Sequence, residues 1–375
     1  MPENVKEMFD GHSEFFLPFT LEILRTIYKL NNNGREEFFQ LPNGKKRYFE
    51  DLVSNAKELR MQLIEMNILN DWHDLYENFL CWIGDSLPSF ADFFDIFAKW
   101  RTNSCGIDAT NFDNPCTGIA AGLYLGYSAL DHSCDFNAVW INVGKEMIVR
   151  TIHEVENFSD VRISYIDVTK KTQDRKKVLK EHYFFDCKCL RCEDANHDAK
   201  HTSLKCKNCP GWVYEKTKIC SWCHTSLKLS EEDLTIIEHY KNGTLSNVEP
   251  TMSINEIRYS IQKYVNIFHG FHDIFFQLFS KFPNLALKNK NREYLLLVLE
   301  LKKLSINYYS GHLPQFDEGF VFHQSGIAKI CIELMLFEEA EFHLKKAEEI
   351  CKVAYGKDHP YMLECQKIQN HCQLK

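Results

Sequence analysis

Apolar residues recur at helical spacing through most of the first hundred positions. The stretch "FFLPFTLEILRTIY" (15–28) contains Glu22 and Arg25 and is too short to span a bilayer, so it predicts an amphipathic helix packed on the core. "LPSFADFFDIFAKW" (87–100) predicts another helix. In "DLVSNAKELRMQLIEMN" the helical spacing is kept by Leu52, Ala56, Leu59 and Leu63. We therefore expect residues 1–100 to form a helical region.

Between residues 101 and 168 the pattern changes to short apolar runs separated by Gly, Asn and Asp. Three of these runs predict strands, namely "AVWINV" (138–143), "EMIVRTI" (146–152) and "VRISYI" (161–166). "TKKTQDRKKVLKEHYF" (169–184) returns to a helical pattern, and its basic run is typical of a solvated helix face.

From residue 231 to the end the pattern is helical again. The segment 326–363 predicts a helix–turn–helix pair, in which Phe337 with Ala340, and Leu344 with Ala347, fit the spacing of a tetratricopeptide-like hairpin. Only one clear unit is visible, so a plain helical bundle is the alternative interpretation.

Composition narrows the class of protein. The 375 residues include 28 Phe and 16 Tyr, enough to bury a core without disulfides. With 44 basic and 52 acidic residues the net charge is −8, which argues against general nucleic-acid binding. "MPENVKEMFDG" lacks the basic and apolar segments of a secretory signal. We expect an intracellular protein, nuclear or cytoplasmic, without membrane association, whose 15 Cys are thiols or metal ligands.

Seven of the cysteines lie between residues 187 and 223. The spacing C-x2-C, ten residues, C-x2-C predicts a self-sufficient zinc ribbon with a structural role. His224, beside the second pair, is a weaker candidate ligand. The four predicted ligands are Cys206, Cys209, Cys220 and Cys223.

The preceding segment "FFDCKCLRC" (184–192) offers only three thiols, although a structural zinc site needs four ligands. Cys134, in "YSALDHSCDFNAVW", is the best candidate for the fourth, but spacing alone does not single it out. The three thiols are those of Cys187, Cys189 and Cys192, and the other candidates for the fourth ligand are His197, Cys105 and Cys116.

Three motifs, in this order, resemble those of SET-domain protein lysine methyltransferases. "LDHSCDFN" resembles the N-H-S-C-x-P-N motif, "RISYID" resembles the strand that carries the active-site tyrosine, and "YFFDCKCLRC" resembles the cysteine-rich post-SET segment. "RYFEDLVSN" and "RTNSCGI" also resemble segments of the SET and MYND domain (SMYD) family. The resemblance to this family covers nearly the whole chain.

The resemblance implies an α+β multidomain fold. We expect a β-rich SET core with a helical insert, a post-SET zinc site, a zinc ribbon and a C-terminal α-helical repeat-like domain. The expected boundaries are 1–100 for the helical insert, 101–168 for the C-terminal part of the SET domain, 169–200 for the post-SET zinc segment, 201–230 for the ribbon and 231–375 for the TPR-like domain. The family's threaded strand pairing would bring His132, Cys134 and Tyr165 together.

The resemblance also implies an activity, the transfer of a methyl group from S-adenosylmethionine to a lysine of a histone or another protein. Cys134 would complete the post-SET zinc site, giving two structural zinc ions, and Tyr165 would be the catalytic residue. Partners would be a protein with an exposed lysine and proteins that bind the C-terminal helices, as in a chromatin regulator. The implied cofactor-binding residues are Asn55, Asn103, Ser128, Leu130, Asp131, His132, Tyr183 and Phe185.

Several departures from the family pattern favour an alternative, a catalytically inactive SET-family zinc-binding scaffold. No Cys precedes Cys81, so we expect no MYND finger in this sequence, and we expect the chain to begin just after the family's Gly-rich segment. Asp131 replaces the motif's Asn, Phe136 replaces its Pro, and "FSDV" (158–161) replaces the usual G-E-E-L.

A weaker hypothesis is nucleic-acid binding by the ribbon, through Lys205, Lys207, Lys216, Lys218, Trp212, Tyr214 and Trp222.

Overall fold

The computed structural model describes residues 17–108, 118–242, 253–281, 291–317 and 319–373. The helices are α1 Leu17–Lys29, α2 Ala56–Glu65, α3 Leu69–Ile83, α4 Phe90–Asn103, α5 Thr172–Tyr183, α6 Leu190–Glu193, α7 Ala195–Ala199, α8 Glu231–Lys241, α9 Ile254–Ile267, α10 Asp273–Lys281, α11 Arg292–His312, α12 Gly319–Glu333, α13 Phe337–Ala354 and α14 Pro360–Gln373. The strands are β1 Phe38–Gln40, β2 Lys46–Tyr48, β3 Ser104–Asp108, β4 Gly118–Leu123, β5 Asp131–His132, β6 Ala138–Val143, β7 Glu146–Thr151, β8 Arg162–Ile163, β9 Leu204–Lys205 and β10 Trp212–Val213.

The N-terminal helices α1 to α4 share one aromatic-rich core. Trp72 is at its centre, with its ring 3.9 Å from that of Phe97. Ile23 and Ile27 of α1 are buried in the same core, so the expectation that this amphipathic helix packs on the core is confirmed.

The expected helical region is interrupted by the hairpin β1–β2, in which Phe38 pairs with Tyr48. The turn contains Pro42 and Gly44, and Gly44 has φ +82°, a left-handed conformation that favours glycine. This turn chemistry, in a segment with few buried side chains, explains why strands form where helix was expected.

The middle of the chain forms small sheets, as its apolar runs predict. β3 pairs with β4 and β6 with β7, both antiparallel, whereas β5 pairs with β8 in parallel. The third expected strand, 161–166, is shorter than predicted, because only Arg162–Ile163 pair with a neighbouring strand. Ser164 ends the strand, because its hydroxyl donates to the Ile166 carbonyl at 2.6 Å and accepts from the Ile166 amide.

The C-terminal helices pack directly against the strand region. Phe136 and Val139 share a core with Val321 and Tyr355, and the Arg150 side chain donates to the Val353 carbonyl at 3.0 Å. Of the positions singled out for a helical hairpin, Ala340, Leu344 and Ala347 are fully buried between helices, whereas Phe337 is partly buried. Within the described ranges, every helix is too short or too polar to cross a membrane.

Candidate active site and metal-ligand clusters

Cys134 joins the three thiols of the post-SET segment. Its sulfur and those of Cys187, Cys189 and Cys192, here named the first cysteine cluster, all lie within 4.8 Å of one another. Four convergent thiols suit a tetrahedral zinc ion, with Zn–S distances of about 2.3 Å. The donor set therefore fits a closed structural zinc site.

The structure places the other candidates for this fourth ligand elsewhere. Cys105 is buried on β3, where its thiol faces the Gly122 carbonyl. His197 belongs to a separate group of histidines. Cys116 lies outside the described residues.

Two buried arginines surround the first cysteine cluster. Arg175 donates toward the Cys192 sulfur at 3.6 Å, and Arg191 donates to the Cys134 carbonyl at 3.2 Å. A zinc ion with four thiolates carries a net charge of about −2. The two guanidinium groups would balance that charge inside the protein.

His132 connects this cluster to Tyr165. The Tyr165 amide donates to His132 Nδ1 at 3.0 Å, and His132 Nε2 is 3.3 Å from the Cys134 sulfur. Burial lowers the pKa of His132 to about 4, so the ring is neutral and carries one proton. Because Nδ1 accepts, we assign the proton to Nε2, which donates to the Cys134 sulfur.

The Tyr165 hydroxyl donates to the Leu130 carbonyl, and this bond fixes its direction. Burial raises the pKa of Tyr165, so the phenol stays protonated near neutral pH. The oxygen keeps its lone pairs, which can accept weak C–H···O contacts or a hydrogen bond from an amine.

The aromatic residues Tyr183 and Phe185 pack beside Tyr165 and His132. The Tyr183 ring is 5.0 Å from Tyr165, and the Phe185 ring is 6.0 Å from His132. Asn55, at left-handed φ 51°, donates to the Tyr183 carbonyl at 3.4 Å. The fold therefore brings these five predicted site residues together.

The remaining predicted residues lie at the edge of this group or support it. The Asn103 amide donates to the Val53 and Lys99 carbonyls, at 2.8 and 2.6 Å, so both of its hydrogens are used. Asp131 is exposed at the start of the parallel pair. Asn103 thus fixes the segment that precedes Asn55, and its amide oxygen alone is left to bind a ligand.

Arg47 is a site residue that sequence reasoning missed. Its guanidinium donates to the Ser128 hydroxyl at 3.0 Å and to the Ser128 carbonyl at 2.7 Å. Burial lowers the pKa of Arg47, while the nearby Asp51, Tyr165 and Asp131 oppose this shift. The only signal was its place at the head of "RYFEDLVSN", because 81 residues separate it from its partner.

A largely apolar groove of about 560 Å³ is lined in part by Leu130. Tyr165 does not line this groove, but its hydroxyl donates to the carbonyl of Leu130. Its walls include Phe38, Tyr127, Leu130, Phe158 and Val161.

The predicted ribbon forms a second cluster, named the ribbon cluster, of Cys206, Cys209, Cys220 and Cys223. Backbone amides of Asn208, Gly211 and Trp222 each approach a cysteine sulfur at 3.4 Å. Such N–H···S contacts stabilise thiolates, as a zinc site requires. His224 is not part of the group.

No family model matches the chain. Comparison with individual known proteins finds several relatives, and those described here are all named as lysine methyltransferases. N-lysine methyltransferase SMYD2 of Mus musculus is 23% identical over 87% of this chain and 70% of its own length. Histone-lysine N-methyltransferase SMYD3 of Homo sapiens is 29% identical over 47% of this chain and 39% of its own length. Histone-lysine N-methyltransferase ASHR1 of Arabidopsis thaliana is 27% identical over 72% of this chain and 58% of its own length.

These relatives are lysine methyltransferases, and together they match most of the chain. The motifs that resemble the SET and MYND domain proteins also meet in space, around Tyr165, His132 and Cys134. These similarities, at 23–29% identity, support membership of the SMYD family.

Proposed function

We propose that this protein is a SET-domain protein-lysine N-methyltransferase that acts on a histone or another protein. The observation that carries the proposal is the Tyr165 phenol, directed by the Leu130 carbonyl and packed beside His132 and Tyr183, with Phe185 next to His132. S-adenosylmethionine, when bound, supplies an electrophilic methyl group on a sulfonium. Oxygen acceptors and aromatic faces are the groups that suit such a cation, so the residues present fit it.

The groove beside Leu130 suits the side chain of a substrate lysine. A free lysine has a pKa of roughly 10.4 and must lose its proton before it attacks. Apolar walls disfavour the ammonium form and lower that pKa. In this proposal Tyr165 accepts a hydrogen bond from the amine and aligns it, and alignment supplies most of the rate.

The cysteine clusters have a structural role in this proposal. Zinc in the first cysteine cluster would hold the segment that carries Tyr183 and Phe185 against the strand that carries His132. A structural zinc ion contributes on the order of 10 kcal/mol to the fold that it closes. Zinc in the ribbon cluster would stabilise residues 201–230 separately.

A second candidate is a zinc-stabilised scaffold without catalysis. Asp131 favours it, because a carboxylate only accepts hydrogen bonds and would repel the carboxylate of the cofactor. A partner protein would then bind the C-terminal helices.

Tyr165→Phe tests the catalytic proposal. The variant should still bind S-adenosylmethionine saturably in calorimetry, because only the phenol oxygen is removed. Its rate of methyl transfer to core histones should fall at least 10-fold. Tyr28→Phe, at a side chain that is 72% exposed, is the matched control and should behave as wild type. Unchanged transfer by Tyr165→Phe would remove the assigned role. No cofactor binding by folded, zinc-loaded wild type would favour the scaffold.

A further inference from the structure

Three histidines far apart in sequence converge between the post-SET segment and the C-terminal helices. His197 is on α7, His201 follows it, and His312 ends α11. One ring nitrogen from each lies within 4.8 Å of the others. We propose that this histidine cluster is a third metal site, which binds Zn²⁺ or a similar divalent transition-metal ion.

The ring nitrogens that lack partners support this proposal. His201 Nε2, His312 Nδ1 and His197 Nδ1 are buried and have no hydrogen-bond partner among the described residues. His201 and His312 are 1% and 2% exposed. Buried polar atoms without partners are rare in folded proteins and point to an unseen ion or water.

The hydrogen bonds on the opposite sides of two rings fix their tautomers. His201 Nδ1 donates to the Asp273 carboxylate at 2.5 Å, and His312 Nε2 donates to the Phe271 carbonyl at 2.9 Å. In the neutral form of these rings, His201 Nε2 and His312 Nδ1 then carry no proton and present lone pairs. Metal-binding histidines show this arrangement, in which the second nitrogen donates to a carboxylate or a carbonyl.

The ring distances require only a small adjustment on binding. The ring centroids of His201 and His312 are 4.1 Å apart, and that of His197 lies 6.3 Å from His201 and 5.7 Å from His312. Zinc–nitrogen distances are about 2.0–2.1 Å. Binding would draw the nitrogens together by up to about 1.5 Å and turn His201 and His312 out of their stacked arrangement.

The surrounding charges are mainly positive, and one carboxylate and the nearby thiolates offset them in part. Lys200 and Arg191 bring positive charge, through contacts with the carbonyls of Gly311 and His312. Asp273 brings negative charge at His201, although Lys171 also lies 3.5 Å from it. Arg191 also faces the first cysteine cluster, whose thiolates offset its charge.

Zinc usually has four ligands, so three histidines would leave its fourth coordination position for a water molecule. His197 is only partly buried, so this position would open toward solvent. The ion would also clamp α7 and His201, two residues beyond that helix, onto the end of α11. This role is independent of methyl transfer and would persist in an inactive scaffold.

Metal content tests the proposal directly. Elemental analysis of the folded wild type, after dialysis with one added equivalent of Zn²⁺, should give three ions per chain, one for each ligand group. His201→Gln and His312→Gln should each give two. His343→Gln is the control, because His343 is also a buried histidine but bonds Gln324 outside the cluster, and it should retain three.

A second measurement keeps the test decisive if the variants fold poorly. In wild type, ¹⁵N imidazole spectra should show saturable shifts of the His201 and His312 nitrogens during Zn²⁺ titration. A wild type that retains two ions, with no saturable imidazole shift, would overturn the proposal and assign a buried water to the cluster.

Discussion

At the scale of single residues, His132 shows how the site is built. The sequence predicted it as a cofactor-binding residue. In the structure its two ring nitrogens are used by the Tyr165 amide and the Cys134 sulfur. His132 therefore positions Tyr165 relative to the first cysteine cluster, and cofactor contact is left to the face of its ring.

His132→Asn should lower the free energy of unfolding by about 1–3 kcal/mol, because the Tyr165 amide and the Cys134 sulfur both lose a partner. Urea denaturation of the zinc-loaded protein measures this change. His224→Asn is the control, because His224 is exposed and has left-handed φ 54°, which Asn tolerates. Equal stability of the two variants would contradict the bridging role.

The chemistry of the site could be predicted from short motifs, but its supporting contacts could not. The H-S-C motif and the thiols that follow it pointed to Cys134, and "RISYID" pointed to Tyr165. Arg47 and Arg191 act on carbonyls or hydroxyls 81 and 121 residues away, and no local pattern marks such pairs. Every residue has a backbone carbonyl, so the sequence does not show which carbonyl an arginine will bind. These contacts can be seen only in the folded chain.

At the scale of elements, periodicity predicted the long helices better than the short strands. The buried positions of α13 follow from its apolar spacing. By contrast, β8 ends early because the Ser164 hydroxyl bonds the nearby backbone of Ile166. The hairpin β1–β2 was missed because its side chains are mostly exposed, so no apolar alternation marks it. Local hydrogen bonds therefore set the end of β8, and turn residues set the position of the hairpin β1–β2.

Leu344→Ala in α13 should destabilise the protein by about 2–5 kcal/mol, because it removes buried methyl groups and leaves a cavity between packed helices. Thermal or urea unfolding gives the difference. Leu363→Ala on α14, where the side chain is 57% exposed, should change stability by less than about 0.5 kcal/mol. A similar loss in both variants would mean that the helical hairpin is not part of the core.

The start of α14 should respond to acid. His359 is buried before this helix, its Nδ1 accepts from the Tyr361 amide at 3.2 Å, and burial lowers its pKa to about 4. Since an unfolded histidine has a pKa near 6.5, the unfolded chain binds more protons between roughly pH 6.5 and pH 4. The contribution of His359 to stability should therefore be present above this window and be lost as pH falls through it.

His359→Asn tests this prediction, because Asn can accept the same amide hydrogen but does not titrate. Unfolding measured from pH 7 to pH 4 should show a weaker loss of stability in the variant than in wild type. Parallel curves for the two proteins would exclude His359 as a source of acid sensitivity.

At the scale of the whole molecule, Arg191 joins three parts of the chain. Its buried guanidinium donates to the carbonyls of Cys134, Val168 and His312. The order of helical, strand-rich, cysteine-rich and helical segments was expected from the sequence. Their mutual packing was not, because it depends on such contacts across more than a hundred residues.

Arg191→Lys should lower stability by roughly 2–5 kcal/mol, because a single ammonium cannot satisfy three carbonyls in a fixed fork geometry. Denaturation with intact zinc sites measures the loss. Arg258→Lys is the control, because Arg258 makes one exposed contact with the Glu293 carbonyl. If both variants are as stable as wild type, Arg191 does not hold these segments together.

The spacing of the ligands sets an order of assembly during synthesis. The ribbon cluster draws all its thiols from residues 206–223, so a nascent chain can complete it locally. In the first cysteine cluster Cys134 must meet thiols more than fifty residues downstream, and closing that loop costs more entropy. When zinc is scarce, the ribbon cluster should fill first. If both clusters bind zinc, the supply of metal in the cell would set how many newly made chains complete the core around Tyr165.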